Sequence, residues 1–302
     1  MNRKQPLTAS PSPARASDSV FFDNTRNQDG IGENELLVIS FGTSYNENRR
    51  LTIGAIEDAM EKAFPNYSVR RGFTSEIIID RVKKRDGTSI DNVREALERA
   101  AANGVKNLVI QPTHMMDGFE YHDVVREAAQ YEGAFSSISI GAPLLTSDED
   151  FLAVANTLVD STASYDDGKT AICFMGHGTE AASNGVYPRM QQVLRSIGKE
   201  NYFIGTVEAV PSVENVLTMV QRGNYARVLL QPMMIVAGDH ANNDMAGEGK
   251  DSWKGIFESA GYQVECQVLG LGELAAIQQL LVKHAQAAME ALTVKKAEAV
   301  PV

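Results

Sequence analysis

A strand and the turn that leaves it are written twice in this chain, and the elements around them recur in the same order. Leu36-Leu37-Val38-Ile39-Ser40-Phe41 is a continuous apolar run that stops at Gly42. Ala171-Ile172-Cys173-Phe174-Met175 runs into Gly176-His177-Gly178-Thr179, echoing Ser40-Phe41-Gly42-Thr43. Runs that do not alternate apolar with polar suit strands buried on both faces, as in a parallel sheet covered by helices. Further on, Thr206-Val207-Glu208 echoes Thr74-Ser75-Glu76, and Arg227-Val228-Leu229-Leu230-Gln231-Pro232 echoes Asn107-Leu108-Val109-Ile110-Gln111-Pro112. In that last pair Gly238 matches Gly118 and His240 matches Glu120. Between the strands the period becomes helical: Ile53, Ile56, Met60 and Phe64 share a face. Ser89 reads as the N-cap of another helix, with Ile90, Val93 and Leu97 inward and Gly104 ending it.

Chance explains one such echo easily; three in order, with a shared Gln-Pro, point to an α/β protein. The expected architecture is two related α/β halves with parallel sheets facing a central cleft. The division expected is a disordered tail over residues 1–34, an N-terminal α/β domain over 35–160 and a C-terminal α/β domain over 161–302 that carries the chemistry. Leu274 to Leu292 reads as a long helix able to pack on either half.

Charge narrows the partners. Against 28 basic residues stand 39 acidic ones, a net −11, the wrong sign for general nucleic-acid binding. The basic run Arg70, Arg71, Arg81, Lys83, Lys84 and Arg85 is either a solvated face or a patch for an anionic substrate. No apolar run approaches the roughly 18 residues of a membrane span. Val20-Phe21-Phe22 is far short of the about 7–15 residues of a signal-peptide core. A cytoplasmic protein is therefore expected, and an assembly of several copies is left open. Cys173 and Cys266 lie far apart in apolar or strand-like runs, so both read as small packing residues.

Ligands of open α/β sheets bind beyond the carboxyl ends of the strands, and three metal-ligand types stand there. His177 follows the strand ending at Met175, Glu208 closes Tyr202 to Val207, and His240 lies in the loop after Pro232. Successive strand–helix units separate them, so each would come from its own strand. A lone histidine at a strand end is more often structural than ligating. Here Gly176 and Gly178 allow close approach to His177, and Asp239 to Asp244 offer groups to orient His240 from behind. Two imidazoles and a carboxylate suit a borderline divalent ion such as Co²⁺, Fe²⁺, Ni²⁺ or Zn²⁺. His114 stands at the matching edge of the first half and is expected to line the same cleft. Glu120 and His122 read as substrate-side groups or solvated surface, His122 as the latter, and His284 as a surface residue.

Ser40-Phe41-Gly42-Thr43-Ser44-Tyr45, Arg85-Asp86-Gly87, Met175-Gly176-His177-Gly178, Val207-Glu208, Gly238-Asp239-His240-Ala241-Asn242-Asn243-Asp244-Met245, Asp251-Ser252-Trp253-Lys254 and Gly270-Leu271-Gly272-Glu273 together resemble the anaerobic sirohydrochlorin cobaltochelatases of the CbiK type. The resemblance runs from about residue 35 to 290 and extends to the fold of the ATP-independent class II chelatases. It implies insertion of Co²⁺ into sirohydrochlorin, with release of two protons, on the anaerobic route to cobalamin. The metal is then a substrate, and no permanently bound cofactor is implied. His177, Glu208 and His240 match the family's metal positions, with His177 taking a proton and Glu208 offsetting metal charge. Ser44, Tyr45, His114 and Glu120 are expected at the substrate, and Arg49, Arg50, Arg70 and Arg71 near its carboxylates. The segment after Gly178 lacks the extra histidines that some members carry. The absence of a G-x-x-x-x-G-K-[ST] loop fits an ATP-independent reaction. Insertion of iron for sirohaem and a non-catalytic metal or tetrapyrrole carrier are the competing readings.

Overall fold

The computed structural model describes residues 23–298. The first half is a four-stranded sheet of β1 (Asn34–Ser40), β2 (Ser68–Phe73), β3 (Asn107–Pro112) and β4 (Ser137–Ile140), in the order β2-β1-β3-β4. The second is built from β5 (Thr170–Gly176), β6 (Tyr202–Thr206), β7 (Arg227–Pro232) and β8 (Gln263–Cys266), in the order β6-β5-β7-β8. Every pairing is parallel, as the unbroken apolar runs require. In both sheets the strand order reverses beside the first strand of the half, opening a crevice at its carboxyl end.

Helices make the crossovers. α1 (Asn46–Arg49) passes through a π-helical turn at Arg50–Gly54 into α2 (Ala55–Ala63). α3 (Glu76–Asp86), α4 (Val93–Ala102), α5 (Phe119–Ala129) and α6 (Asp148–Ser161) complete the first half. α7 (Val186–Ser196), α8 (Val213–Gln221) and α9 (Trp253–Ser259) serve the second, and α10 (Ala275–Glu298) ends the described chain. Ser89 does not cap α4. Asn92 does, in a reciprocal box with Glu95, because Asn92 is held first by a bridge to Phe73 that keeps the preceding backbone extended. Ile90 is buried as expected.

The register tests the internal repeat. Val38 pairs with Gln111 and Phe174 with Gln231, so the Gln-Pro echo is structural. Gly42 and Gly178 both take left-handed conformations, φ 103° and 89°. The middle echo slips by one residue. The Ser75 N–H donates to the Phe41 carbonyl as the Glu208 N–H donates to the His177 carbonyl, so Glu208 corresponds to Ser75, not to Glu76.

Side-chain alternation along the strands divides the core. Leu36, Val38, Ile172, Phe174 and Leu229 belong to one apolar cluster that runs between the halves, while Leu37, Ile39 and Ile110 pack on the outer face of the first sheet. α10 packs against α2, α6, β3 and β4, so the last helix of the stretch 161–302 covers the first half. His284, expected on the surface, is buried on α10. Its Nε2 lies 3.1 Å from the Asp150 carboxylate and its Nδ1 3.2 Å from the Ala142 carbonyl.

Residues 23–33 are not a loose tail. The Asp23 carboxylate accepts hydrogen bonds from Arg49 (2.5 Å) and Arg71 (2.9 and 3.1 Å), and the Arg26 carbonyl accepts the Arg71 N–H. Two buried guanidiniums demand carboxylates, and this segment supplies one. The rest of the expected tail, residues 1–22, lies outside the described residues. Among the described residues, no helix is long and apolar enough to cross a membrane. Cys173 is buried, Cys266 half-buried, and neither is in a disulfide.

Candidate active site

A cavity of about 560 Å³ opens between the halves at the carboxyl ends of both sheets. Its first-half wall includes Phe41 to Tyr45, His114 to Met116 and Glu120; His177, Glu208 and His240 line the opposite side. The same strand ends thus face each other across the gap, which is how two open sheets build one site.

His177 emerges where β5 ends. A Cβ on Gly176 would lie 2.0 Å from the Tyr187 ring, and one on Gly178 would lie 2.8 Å from the Ala209 nitrogen. Any other residue at either place would push this turn out of position. The Tyr187 hydroxyl accepts the Gly178 N–H at 3.2 Å. His177 Nδ1 is 2.9 Å from the Gly178 carbonyl, which favours the tautomer with the proton on Nδ1 and leaves Nε2 as a lone-pair donor. Glu208 lies beside it, Oε2 3.6 Å from that Nδ1.

His240 is set by its own loop. Its Nδ1 lies 2.7 Å from the Asp244 carboxylate, which favours a proton on Nδ1 and leaves Nε2 as the lone-pair nitrogen of this ring too. A π-helical turn at Ala241–Met245 places Asp244 behind the ring. Asn242 donates to the Ala237 and Gly238 carbonyls, and the Ala237 N–H donates to Asn48 of the first half at 2.9 Å. The imidazoles of His177 and His240 meet edge to face, with centroids 4.7 Å apart. One ligand atom from each of His177, Glu208 and His240 falls within 4.8 Å of the others. All three side chains are partly exposed, so an ion held there keeps open positions.

The other expected residues divide. Ser44, Tyr45, His114 and Glu120 all line the cavity. His122 is exposed and faces Asp117 at 2.7 Å, a solvated surface group as expected. By the register, Phe41, Ser75 and Glu120 occupy the first-half positions of His177, Glu208 and His240, a set that lacks imidazoles. The internal symmetry is broken at the chemistry.

The sequence-based ligand set has been brought together by this geometry, and comparison with known proteins adds to it. The family model described as Cobalt chelatase (CbiK) matches residues 34–290. The chain belongs to this cobalt chelatase family. It is 35% identical over 254 residues to the sirohydrochlorin cobaltochelatase of Salmonella typhimurium, covering 84% of this chain and 96% of that one. With the sirohydrochlorin cobaltochelatase CbiKC of Nitratidesulfovibrio vulgaris it shares 29% over 259 residues, 85% of this chain and 91% of the relative. In fold it resembles the sirohydrochlorin chelatase SirB from Bacillus subtilis subspecies spizizenii in complex with cobalt. The TM-score is 0.59 at 13% identity, over 86% of this chain and 96% of SirB.

Within this cobalt chelatase fold, the arginines expected near substrate carboxylates are partly elsewhere. Arg70 is buried against Glu35 and Asp91, and Arg71 and Arg49 against Glu57 and Asp23. Arg70 and Arg71 are successive residues of β2 and so point to opposite faces of the sheet, both covered; Arg49 lies on α1, and carboxylates inside the fold pair all three. Of the basic run, Arg81 reaches the cavity. The apolar lining of Phe41, Ile78, Phe119 and Met234 was missed as a site feature: Phe41 read as the end of a buried strand, and the other three carried no expectation. The available signal was that Phe41 and Phe119 stand next to glycines at strand exits; both are exposed, at 46% and 65%.

Proposed function

We propose that this protein inserts Co²⁺ into sirohydrochlorin without ATP, the metal being substrate rather than a resident cofactor. The observation that carries this reading is the close convergence of His177, Glu208 and His240 at a cavity whose other wall is largely apolar. Both rings have Nδ1 engaged by an oxygen acceptor, which leaves two Nε2 lone pairs and one carboxylate as the donor set for an incoming ion. Membership of the cobalt chelatase family, and the names of the relatives, support cobalt as the metal and sirohydrochlorin as the macrocycle.

Insertion requires the metal to lose water and the macrocycle to lose two pyrrole N–H protons. Holding the ion on three side chains at the cavity wall turns an encounter of two solutes into transfer within one complex. The Glu208 carboxylate offsets the ion's charge. Half-exposed His177 has a solvent path along which a proton can leave once the ion moves to the ring nitrogens, which makes it the exit for protons. Phe41, Ile78 and Phe119 offer apolar area to the macrocycle, and Arg81 a cation to its rim carboxylates.

The test is Co²⁺ titration followed by cobalt's visible d–d absorption, paired with insertion kinetics. Replacing His177 or His240 by alanine should weaken Co²⁺ binding at least tenfold and lower turnover by at least a hundredfold, with the melting temperature retained. Wild-type Co²⁺ affinity and turnover in both variants would refute the assignment.

A further inference from the structure

His114 stands on the wall opposite the metal ligands, in the crevice of the first sheet. Its backbone is fixed: the carbonyl accepts the Leu144 N–H at 2.9 Å, and the neighbouring Thr113 donates to Ser40 at 2.8 Å and to the Ile39 carbonyl through its N–H. The side chain lines the cavity. Both ring nitrogens are out of contact with solvent, and neither has a hydrogen-bond partner among the described residues. A buried polar group without a partner costs folding free energy, and in native proteins such groups collect where a ligand or reaction uses them. Burial pushes the imidazole down to about 4, so at neutral pH the ring is uncharged, with one donor and one acceptor nitrogen.

What would pair with it follows from the substrate class, and the step rests on the proposed function. A free-base tetrapyrrole carries N–H donors at its centre; its carboxylates lie at the rim. The buried position of this ring suits the neutral centre over an ionised carboxylate, which Arg81 can meet instead. Metallation replaces two N–H protons by the ion, leaving no inner donor. We infer that on binding the His114 ring turns about its side-chain bonds to bring one nitrogen to the cavity, accepts a hydrogen bond there from a pyrrole N–H of the free-base macrocycle, and so distinguishes substrate from metallated product.

This contact exists before insertion and is lost after it, so it favours binding of the free base and departure of the product. His114 stays neutral throughout and is not the group that carries the protons away. One hydrogen bond of ordinary strength corresponds to roughly five- to tenfold in affinity.

The experiment measures dissociation constants for metal-free sirohydrochlorin, with chelator present, and for its cobalt complex, by absorbance titration of the full chain. The quantity compared is the ratio of the two constants in the wild type and in His114→Phe, which keeps a ring and removes both nitrogens. The ratio should shift by about five- to tenfold against the free base. Affinity for the cobalt complex should stay within about twofold, and the melting temperature should be equal or higher. If the phenylalanine does not fit, His114→Leu serves the same comparison. An unchanged ratio in a folded variant overturns the inference, as does equal weakening for both ligands. A wild-type protein that binds neither macrocycle would instead remove the functional reading on which the inference stands.

Discussion

At the scale of single residues, the site depends on what stands behind the ligands. His240 is aimed by Asp244, 2.7 Å from its Nδ1, and a carboxylate in that place both fixes the tautomer and raises the ligand's basicity. Asp244→Asn keeps the size and removes the charge. It is expected to lower Co²⁺ affinity by about 10- to 100-fold without altering the fold, checked by metal titration and circular dichroism. His177 is oriented by a backbone carbonyl instead, so no side-chain replacement can loosen it in the same way. The ligand types and their places at strand ends were readable from residue pattern, since His177 and His240 flank or follow glycines at strand exits. The anchoring of His177 by its own neighbour's carbonyl was not, because it depends on the left-handed turn at Gly178.

At the scale of elements, the segment from Asp23 to Arg26 is a working part of the first half. Burial raises the Asp23 carboxyl, but hydrogen bonds and charge from Arg71, then Arg49, outweigh it and hold it below its ordinary value. A carboxyl lowered in the fold contributes stability above its unfolded value near 3.8 and loses it as pH falls through the folded value. Asp23→Asn should therefore cost about 2 kcal/mol at neutral pH, and the gap from wild type should close at more acid pH, measured by urea unfolding. Composition concealed this segment: it continues a polar stretch, with Pro6, Pro11 and Pro13, that reads as a tail, and a single aspartate that meets two arginines distant in sequence leaves no local pattern. The same long-range pairing misled the reading of Arg70 and Arg71, whose run of charge looked like surface. The slip of the middle echo has a simpler origin. Thr206 resembles Thr74 in type, but sheet register follows hydrogen bonds, and those pair Glu208 with Ser75's position.

At the scale of the whole molecule, two sheets with the same strand order face one cleft, and only one carries the metal-ligand set. The architecture was legible because parallel strands buried on both faces must be apolar throughout, a pattern that occurs twice here. The path of α10 was not, since an apolar helix face does not name its partner; α10 crosses to the first half and is tied there by His284 and Asp150. That crossing, with the shared cluster containing Leu36, Phe174 and Leu281, joins the walls of the cleft into one body. The opposing walls can then play different roles, metal on one and macrocycle recognition on the other.

The most direct measurement is anaerobic absorbance spectroscopy with sirohydrochlorin and Co²⁺, both in large excess over the protein and without ATP. The free-base spectrum should convert to that of the cobalt complex over many turnovers, well above the rate without protein. Binding of one equivalent of either ligand with no conversion beyond it would contradict a chelatase and make this molecule a carrier.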